Sequence, residues 1–219
     1  MIRRPPRSTL SSSSAASDVY KRQLKYNPFK SCIIPRPIAW ITTISSDGID
    51  NCAPYSFFNG VASDPPMVMF ANNGPSPYKK GPKDTFSNIK YNKEFVVNIA
   101  TNESKDKMNE TCMPLARDKS EVEFASLETK ASKLIKPKSL KISPINMECI
   151  LHKIVDLPAL NDGEYNGIII GEVIGISIED DFIKDGRVDV KKLKPLARLG
   201  YMDYSVIDNI FEMNRPSNK

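Results

Sequence analysis

The sequence has one histidine, His152, among its 219 residues. A Ser-His-Asp triad requires a histidine in a catalytic context and a zinc site requires several ligands, so this scarcity excludes most hydrolytic and metal constellations. The four cysteines form no CxxC pair, which argues against zinc, iron–sulfur and redox dithiol motifs. We therefore expect no metal site, and we expect reduced, packed thiols of the kind that intracellular proteins carry.

Long apolar runs are also missing from the chain. The longest, at residues 167–178, is interrupted by Glu172 and is much shorter than the roughly 20 residues that a membrane span needs. No GxGxxG fingerprint is present, which argues against a Rossmann dinucleotide domain. These absences favour a protein of one globular domain that does not span the membrane.

Positive charge is scarce outside the first 23 residues. The formal net charge is +5, but residues 1–23 hold five basic side chains against one acidic side chain, which leaves +1 on the remainder. A nucleic-acid-binding surface requires a basic face on the folded domain, so we expect no nucleic acid partner.

Residues 1–23 differ in composition from the rest of the chain. They are rich in arginine and serine, like a mitochondrial transit peptide, but Pro5 and Pro6 break the amphipathic helix that such peptides use. The segment also resembles adaptor-derived sequence translated ahead of a transcript. We treat residues 1–23 as a non-native or disordered leader, residues 24–219 as the domain, and the cytoplasm as the default location.

From residue 24 the sequence predicts short strands with turn residues between them. Residues 38–45 and 49–54 flank Asp47-Gly48, a typical hairpin turn, and apolar runs follow at 67–71 and 94–100. Two long strands are predicted at 142–157 and 165–178, with helices at 83–91, 103–116, 121–134 and 190–196. This order, without strand-helix alternation, indicates a mainly β fold with short helices, arranged as a closed or nearly closed antiparallel barrel.

Three motifs carry chemistry. PRPIAWITT at residues 35–43 ends in two threonine hydroxyls, and NCAPYSFFN at 51–59 interleaves polar and aromatic side chains. KDT at 83–85 places a lysine at a helix start, where the positive end of the helix dipole attracts anions, and Asp84 there is expected to cap the helix. If the three converge, they suit a flat heteroaromatic ring with a phosphate tail, and FMN is such a ligand.

These motifs, with EFVVNIA, IIIGEVIGISIEDD and PLARLGYMDY, resemble the flavin reductase-like, FMN-binding split-barrel family, which includes flavoredoxin-type proteins. The resemblance covers roughly residues 30–216 and implies an antiparallel split β-barrel that binds FMN, usually as a homodimer. It also implies a set of cofactor-binding residues: Trp40, Ile41, Thr42, Thr43, Asn51, Ala53, Pro54, Tyr55, Ser56, Phe57, Lys83 and Thr85. Among these, Lys83 and Thr85 are expected to hold the phosphate.

The resemblance implies an oxidoreductase that passes a hydride from NAD(P)H to bound flavin and then electrons to an unidentified second acceptor. The flavin carries this chemistry, so no side chain need be catalytic in the usual sense. An alternative is an FMN-binding electron carrier without NAD(P)H reductase activity of its own. A third hypothesis is a binding module that has lost the flavin, and the intact KDT and APYSFFN motifs argue against it.

Overall fold

The computed structural model describes residues 24–74 and 82–216. The leader hypothesis for residues 1–23 lies outside these described residues. Fourteen strands are present in the described part: β1 Arg36–Pro37, β2 Ala39–Ile44, β3 Asp50–Tyr55, β4 Phe58–Ser63, β5 Pro66–Asn72, β6 Glu94–Ile99, β7 Thr129–Lys130, β8 Ser139–Leu140, β9 Ile145–Leu157, β10 Asn166–Ile178, β11 Ile183–Lys184, β12 Arg187–Val188, β13 Leu196–Arg198 and β14 Tyr204–Val206. Four α-helices accompany them in the same part of the chain: α1 Asp84–Asn92, α2 Lys105–Glu110, α3 Glu121–Phe124 and α4 Val190–Leu193.

Seven strands form one antiparallel sheet in the order β3-β2-β6-β9-β10-β5-β4. The two edge strands, β3 and β4, follow one another in the chain and are linked by Ser56 and Phe57 alone. The sheet therefore curls until its ends meet, and the Tyr55 ring on β3 lies 4.8 Å from the Phe70 ring on β5, measured between centroids. No hydrogen-bonded ladder joins β3 to β4 within the described residues, so the barrel is split at this seam.

Alternation along β2 divides the core into two clusters. Ala39 and Ile41 point into the curled sheet, where they pack with Phe70, Phe95 and other buried residues. Trp40 points the opposite way, into a second cluster beneath the short helices; its other members include Met108, Val122, Leu140 and Leu196. Because α2, α3 and β13 supply this second cluster, burial of the outer face of β2 holds the helices against the sheet.

Most of the predicted elements are present, and several differ in extent. The helix predicted at 103–116 is limited to α2, which ends before Pro114, and the one predicted at 121–134 is limited to α3. After α3, Ser126 adopts a positive φ of 49°, which reverses the chain toward β7. The sequence interpretation also missed β4, an edge strand whose exposed face removes the apolar alternation that marks a strand.

No helix in the described part of the chain is long and apolar enough to cross a membrane. Across residues 24–74 and 82–216, no group of three or more His, Cys, Asp or Glu side chains is arranged to hold a metal ion.

Candidate functional site

A cleft of two joined lobes lies beside the barrel seam. The Glu121 lobe, of about 360 Å³, is enclosed by β3, the start of α1, the segment 111–115 and Glu121. The Arg198 lobe, also of about 360 Å³, is enclosed by the β3–β4 link, β5 and the Arg198–Tyr204 region. The lobes meet at four residues that line both of them: Pro54, Tyr55, Lys83 and Cys112.

The NCAPYSFFN motif forms one wall of this cleft. Asn51, Ala53 and Pro54 face the Glu121 lobe from β3, while Ser56 and Phe57 face the Arg198 lobe from the link to β4. The link is held in place because Ala71 on β5 donates its backbone N–H to the Phe57 carbonyl at 2.8 Å. The sharp chain reversal at the seam is therefore what presents these side chains to the cleft.

The KDT motif forms the opposite wall. Lys83 is the N-cap of α1 and makes no side-chain capping hydrogen bond to a described residue. Both Lys83 and Thr85 line the cleft. The expected capping role of Asp84 is wrong in detail: Asp84 is the first helical residue, and Arg117 donates to its carboxylate at 3.2 Å. Lys83 therefore stands beside the first turn of a nine-residue helix, whose dipole favours an anion.

Asn51 connects the two walls through hydrogen bonds, and their partners determine which end of its side-chain amide donates and which accepts. Its Nδ2 donates to Glu121 Oε2 at 2.8 Å, so its Oδ1 faces the threonines. Thr85 Oγ1 donates to Asn51 Oδ1 at 2.7 Å, and Thr43 Oγ1 donates to the same oxygen at 3.2 Å. A hydroxyl has one proton, so in this arrangement Thr85 presents an acceptor, not a donor, to the cleft.

Four sequence-predicted residues on β2 are buried and line neither lobe: Trp40, Ile41, Thr42 and Thr43. Trp40 donates its indole N–H to Thr111 Oγ1 at 2.9 Å, and Thr42 donates to the Lys138 carbonyl at 2.6 Å. Thr43 points the other way and supports Asn51 from behind. The structure thus places these residues as a support for the cleft wall.

Arg36, from the PRP motif, ties three segments together at the cleft. Its guanidinium donates to the carbonyls of Lys30, Ile33 and Leu199, at 2.6 Å for Ile33 and 2.7 Å for Leu199. The same group lies 5.6 Å from the centroid of the Phe57 ring. Arg36 is 5% exposed, so a buried cation organises this end of the cleft.

Burial shifts the pKa values of several groups that line the cleft. It lowers the pKa of the Lys83 ammonium, and the like charge of Lys30 lowers it further. It raises the pKa of the Cys112 thiol, partly offset by the positive charges of Arg198 and Lys83. Burial also raises the pKa of Glu121, although Asn51 and the Cys52 backbone N–H donate to this carboxylate.

Sequence reasoning did not identify Arg36, Cys112 or Glu121 as site residues. Arg36 is part of the PRPIAWITT motif, so the motif could have indicated Arg36 as a site residue. Glu121 follows the helix-capping Ser120 and looks in sequence like an ordinary first-turn acid. Contacts between Glu121 and β3 span about seventy residues, and no local pattern reports such a contact.

Comparison with known proteins identifies the family of this chain. The flavin reductase like domain matches residues 31–198, which is most of the chain. An uncharacterised protein of Halalkalibacterium halodurans is 32% identical over 200 residues, covering 91% of this chain and 95% of that protein. The chain therefore belongs to the flavin reductase-like domain family, which confirms the resemblance seen in the motifs.

Solved structures agree on the fold. Nitrilotriacetate monooxygenase component B from Bacillus cereus matches with a TM-score of 0.80 and 30% identity, covering 97% of this chain and 100% of that one. A split-barrel-domain protein from Shewanella frigidimarina matches with a TM-score of 0.75, 20% identity and coverage of 86% and 90%. Flavoredoxin of Desulfovibrio vulgaris matches with a TM-score of 0.69, 15% identity and coverage of 83% and 91%. The predicted mainly β, antiparallel split-barrel fold is confirmed.

Proposed function

We propose that this protein is an FMN-binding oxidoreductase that passes a hydride from NAD(P)H to bound flavin and electrons on to a second acceptor. One observation carries the proposal: Lys83 and the first turn of α1 share a cleft with the apolar and aromatic wall at residues 54–57. Membership of the flavin reductase-like family supports the same reaction class.

The donor set of the cleft fits a flavin mononucleotide. Each lobe falls within the roughly 300–1,000 Å³ typical of ligand pockets. Pro54, Tyr55 and Phe57 provide a surface for a flat ring, while Lys83 and the amides of the α1 first turn provide for one phosphate. The one phosphate provided for beside Lys83 matches the single phosphate of the mononucleotide form of the cofactor.

The protein groups would bind and orient the cofactor while the flavin, when bound, supplies the redox chemistry. Lys83 would hold the phosphate. Thr85 Oγ1 would accept a hydrogen bond from a hydroxyl of the ribityl chain, because Thr85 already donates its own hydroxyl proton to Asn51. Ala53, Pro54, Tyr55, Ser56 and Phe57 would line the ring. The buried residues of β2 would contribute as the rigid support behind this wall.

NAD(P)H would bind transiently over the cofactor, because the chain has no Rossmann fingerprint to hold a dinucleotide. The second candidate function is an FMN-binding electron carrier without its own NAD(P)H reductase activity. The similarity of fold to flavoredoxin favours keeping this candidate, and the same cleft would serve both.

The test is an absorbance spectrum of the protein without residues 1–23, followed anaerobically by addition of NADH and then NADPH. The proposal expects a flavin spectrum that bleaches with one or both donors. A flavin spectrum that stays oxidised with both donors would overturn the reductase and favour the carrier. A colourless protein that does not take up added FMN would overturn both.

A further inference from the structure

The Arg198 lobe has an unusual charge distribution. Among the described residues, four cationic side chains and no carboxylate line it; the four are Lys30, Arg36, Lys83 and Arg198. In the described residues, some cations outside the lobe form ion pairs, as in Lys138–Asp50 at 2.7 Å and Lys141–Glu128 at 3.0 Å. None of the four lobe cations has such a carboxylate partner within residues 24–74 and 82–216.

The four cations fall into two pairs of like charge. Burial lowers the pKa of Arg36 and the charge of Arg198 lowers it further, while burial and then the charge of Lys30 lower the pKa of Lys83. Like charges held together in a partly desolvated cleft repel each other, and an anionic ligand relieves that repulsion. The phosphate proposed for FMN accounts for the pair that contains Lys83. It leaves the arginine pair without an anion.

Within the arginine pair, Arg198 is the member able to meet a ligand. Arg36 is buried and donates to three carbonyls, so its role is structural. Arg198 is half-buried and uses one terminal nitrogen, which contacts the Tyr201 carbonyl and Met202 Sδ. Its Nε and its other terminal nitrogen make no hydrogen bond within the described residues, and a guanidinium presents donors in a fork that matches an oxyanion.

Aromatic side chains adjoin Arg198. Its guanidinium carbon lies 4.3 Å from the centroid of the Tyr204 ring, and both Tyr201 and Tyr204 line the lobe. A cation held over an aromatic ring keeps a fixed position, and the rings provide an apolar surface for the body of a ligand. This side of the lobe therefore combines one available cation with a surface for a flat molecule.

We propose that the second reactant at this cleft carries an oxyanion, either a carboxylate or a phosphate, that binds Arg198 while its flat body packs on Tyr201 and Tyr204. The proposal rests on the proposed function, since it assigns the Lys83 side of the cleft to FMN. It names the substrate class as an anionic organic molecule. The shared oxyanion chemistry covers two sources: the phosphates of a nicotinamide nucleotide and the carboxylate of an acceptor.

Equilibrium binding to the oxidised, FMN-loaded protein tests this proposal without turnover. Isothermal titration calorimetry would compare 2-naphthoate with 2-naphthamide, and NAD⁺ with nicotinamide riboside, which lacks the phosphates. Arg198→Gln should weaken binding of at least one anionic probe by about tenfold or more, the usual value of a charged hydrogen bond, and leave its uncharged or phosphate-free counterpart unchanged. The matched control is Arg187→Gln, on the exposed β11–β12 hairpin outside the cleft, which should change nothing.

The probe pair that responds identifies the source of the oxyanion. Equal affinities in the wild type and Arg198→Gln for both anionic probes would overturn the proposal, as would an equal loss in Arg187→Gln. The flavin absorbance of each sample separates the two hypotheses. A protein that binds FMN but ignores the Arg198 change refutes only the anionic reactant. A protein that takes up no FMN refutes the proposed function, while the same titrations still measure anion binding at Arg198.

Discussion

Lys83 is the residue on which the assignment of the phosphate depends. It joins the two lobes, lies beside the first turn of α1, and has its pKa lowered by burial and by Lys30, which an incoming anion would reverse. Lys83→Ala should weaken FMN binding by about 1.5–3 kcal/mol, the usual contribution of a charged hydrogen bond. Titration of apoprotein with FMN, followed by flavin fluorescence, measures the effect.

Lys90→Ala is the matched control for Lys83→Ala, because Lys90 lies on the same helix with its side chain in solvent. Riboflavin provides a second comparison, since it lacks the phosphate and should bind both variants alike. An unchanged FMN affinity in Lys83→Ala would show that this lysine does not bind the phosphate.

Glu121 predicts a pH dependence of stability. Burial raises the pKa of Glu121 in the folded protein above its value in the unfolded chain. At pH values between these two pKa values, the folded state therefore binds more protons than the unfolded state. Stability should therefore fall as pH rises from the ordinary glutamate pKa, about 4.3, through the raised value. Glu121→Gln keeps an oxygen to accept from Asn51 and Cys52, and should flatten this slope and stabilise the protein at neutral pH. Urea unfolding at several pH values measures it.

The control for Glu121→Gln is Glu123→Gln, two residues further along α3, where the side chain is exposed. It should leave the slope between pH 4 and 7 as in the wild type. A wild-type slope in Glu121→Gln would assign the pH dependence to another carboxylate.

Close packing of β10 against the core gives a prediction at the scale of an element. A Cβ added to Gly171 would overlap Phe95 Cζ, and Phe95 is fully buried against Phe70. Gly171→Ala should therefore lower the free energy of unfolding by about 1–3 kcal/mol, because a packed core resists an extra methyl group. Chemical denaturation measures the change.

Gly60 on β4 provides the matched glycine in a strand. The nearest atom to an added Cβ there is the Met67 carbonyl oxygen at 3.9 Å, an ordinary contact. Gly60→Ala should leave stability close to that of the wild type. A loss in Gly60→Ala as large as that in Gly171→Ala would point to backbone entropy or pairing instead of overpacking.

The elements that the sequence predicted well are those with a strong local signal. The hairpin of β2 and β3 follows from Asp47-Gly48 between β-branched runs, and β9 and β10 follow from their length and apolar content. Strand β4 was missed because most of its residues face solvent, and α3 was overextended because nothing local marked the positive φ of Ser126. Local sequence patterns indicate which residues are buried. The exposure of β4 and the end of α3 depend instead on how the sheet curls, which no local pattern indicates.

The same limit applies to the candidate site across the whole molecule. The sequence identified KDT and NCAPYSFFN from their own helix-start and turn chemistry, and the structure shows that both motifs line one cleft. It could not show that Trp40 turns away from that cleft, because strand alternation leaves the choice of face to distant packing partners such as Met108 and Leu196. Glu121 and Arg198 enter the cleft through tertiary contacts alone.

Oligomeric state is a prediction at the same scale. The family resemblance predicts a homodimer, and the protein carries large exposed apolar side chains, including Phe29, Ile33 and Ile34 near the cleft. Gel filtration with light scattering of the protein without residues 1–23 should return about twice the mass of one chain. A monomer mass at micromolar concentration would contradict the prediction.

Arg36 ties the beginning of the domain to its end, because its contact with the Leu199 carbonyl spans 163 residues. On a ribosome, therefore, the Arg198 lobe cannot take its final form until almost the entire domain has been synthesised. Cofactor loading would then be a late event in the life of each molecule. A chain terminated before residue 195 would keep KDT and NCAPYSFFN and still lack one wall of the cleft, so an intact motif in a fragment is a poor guide to flavin content.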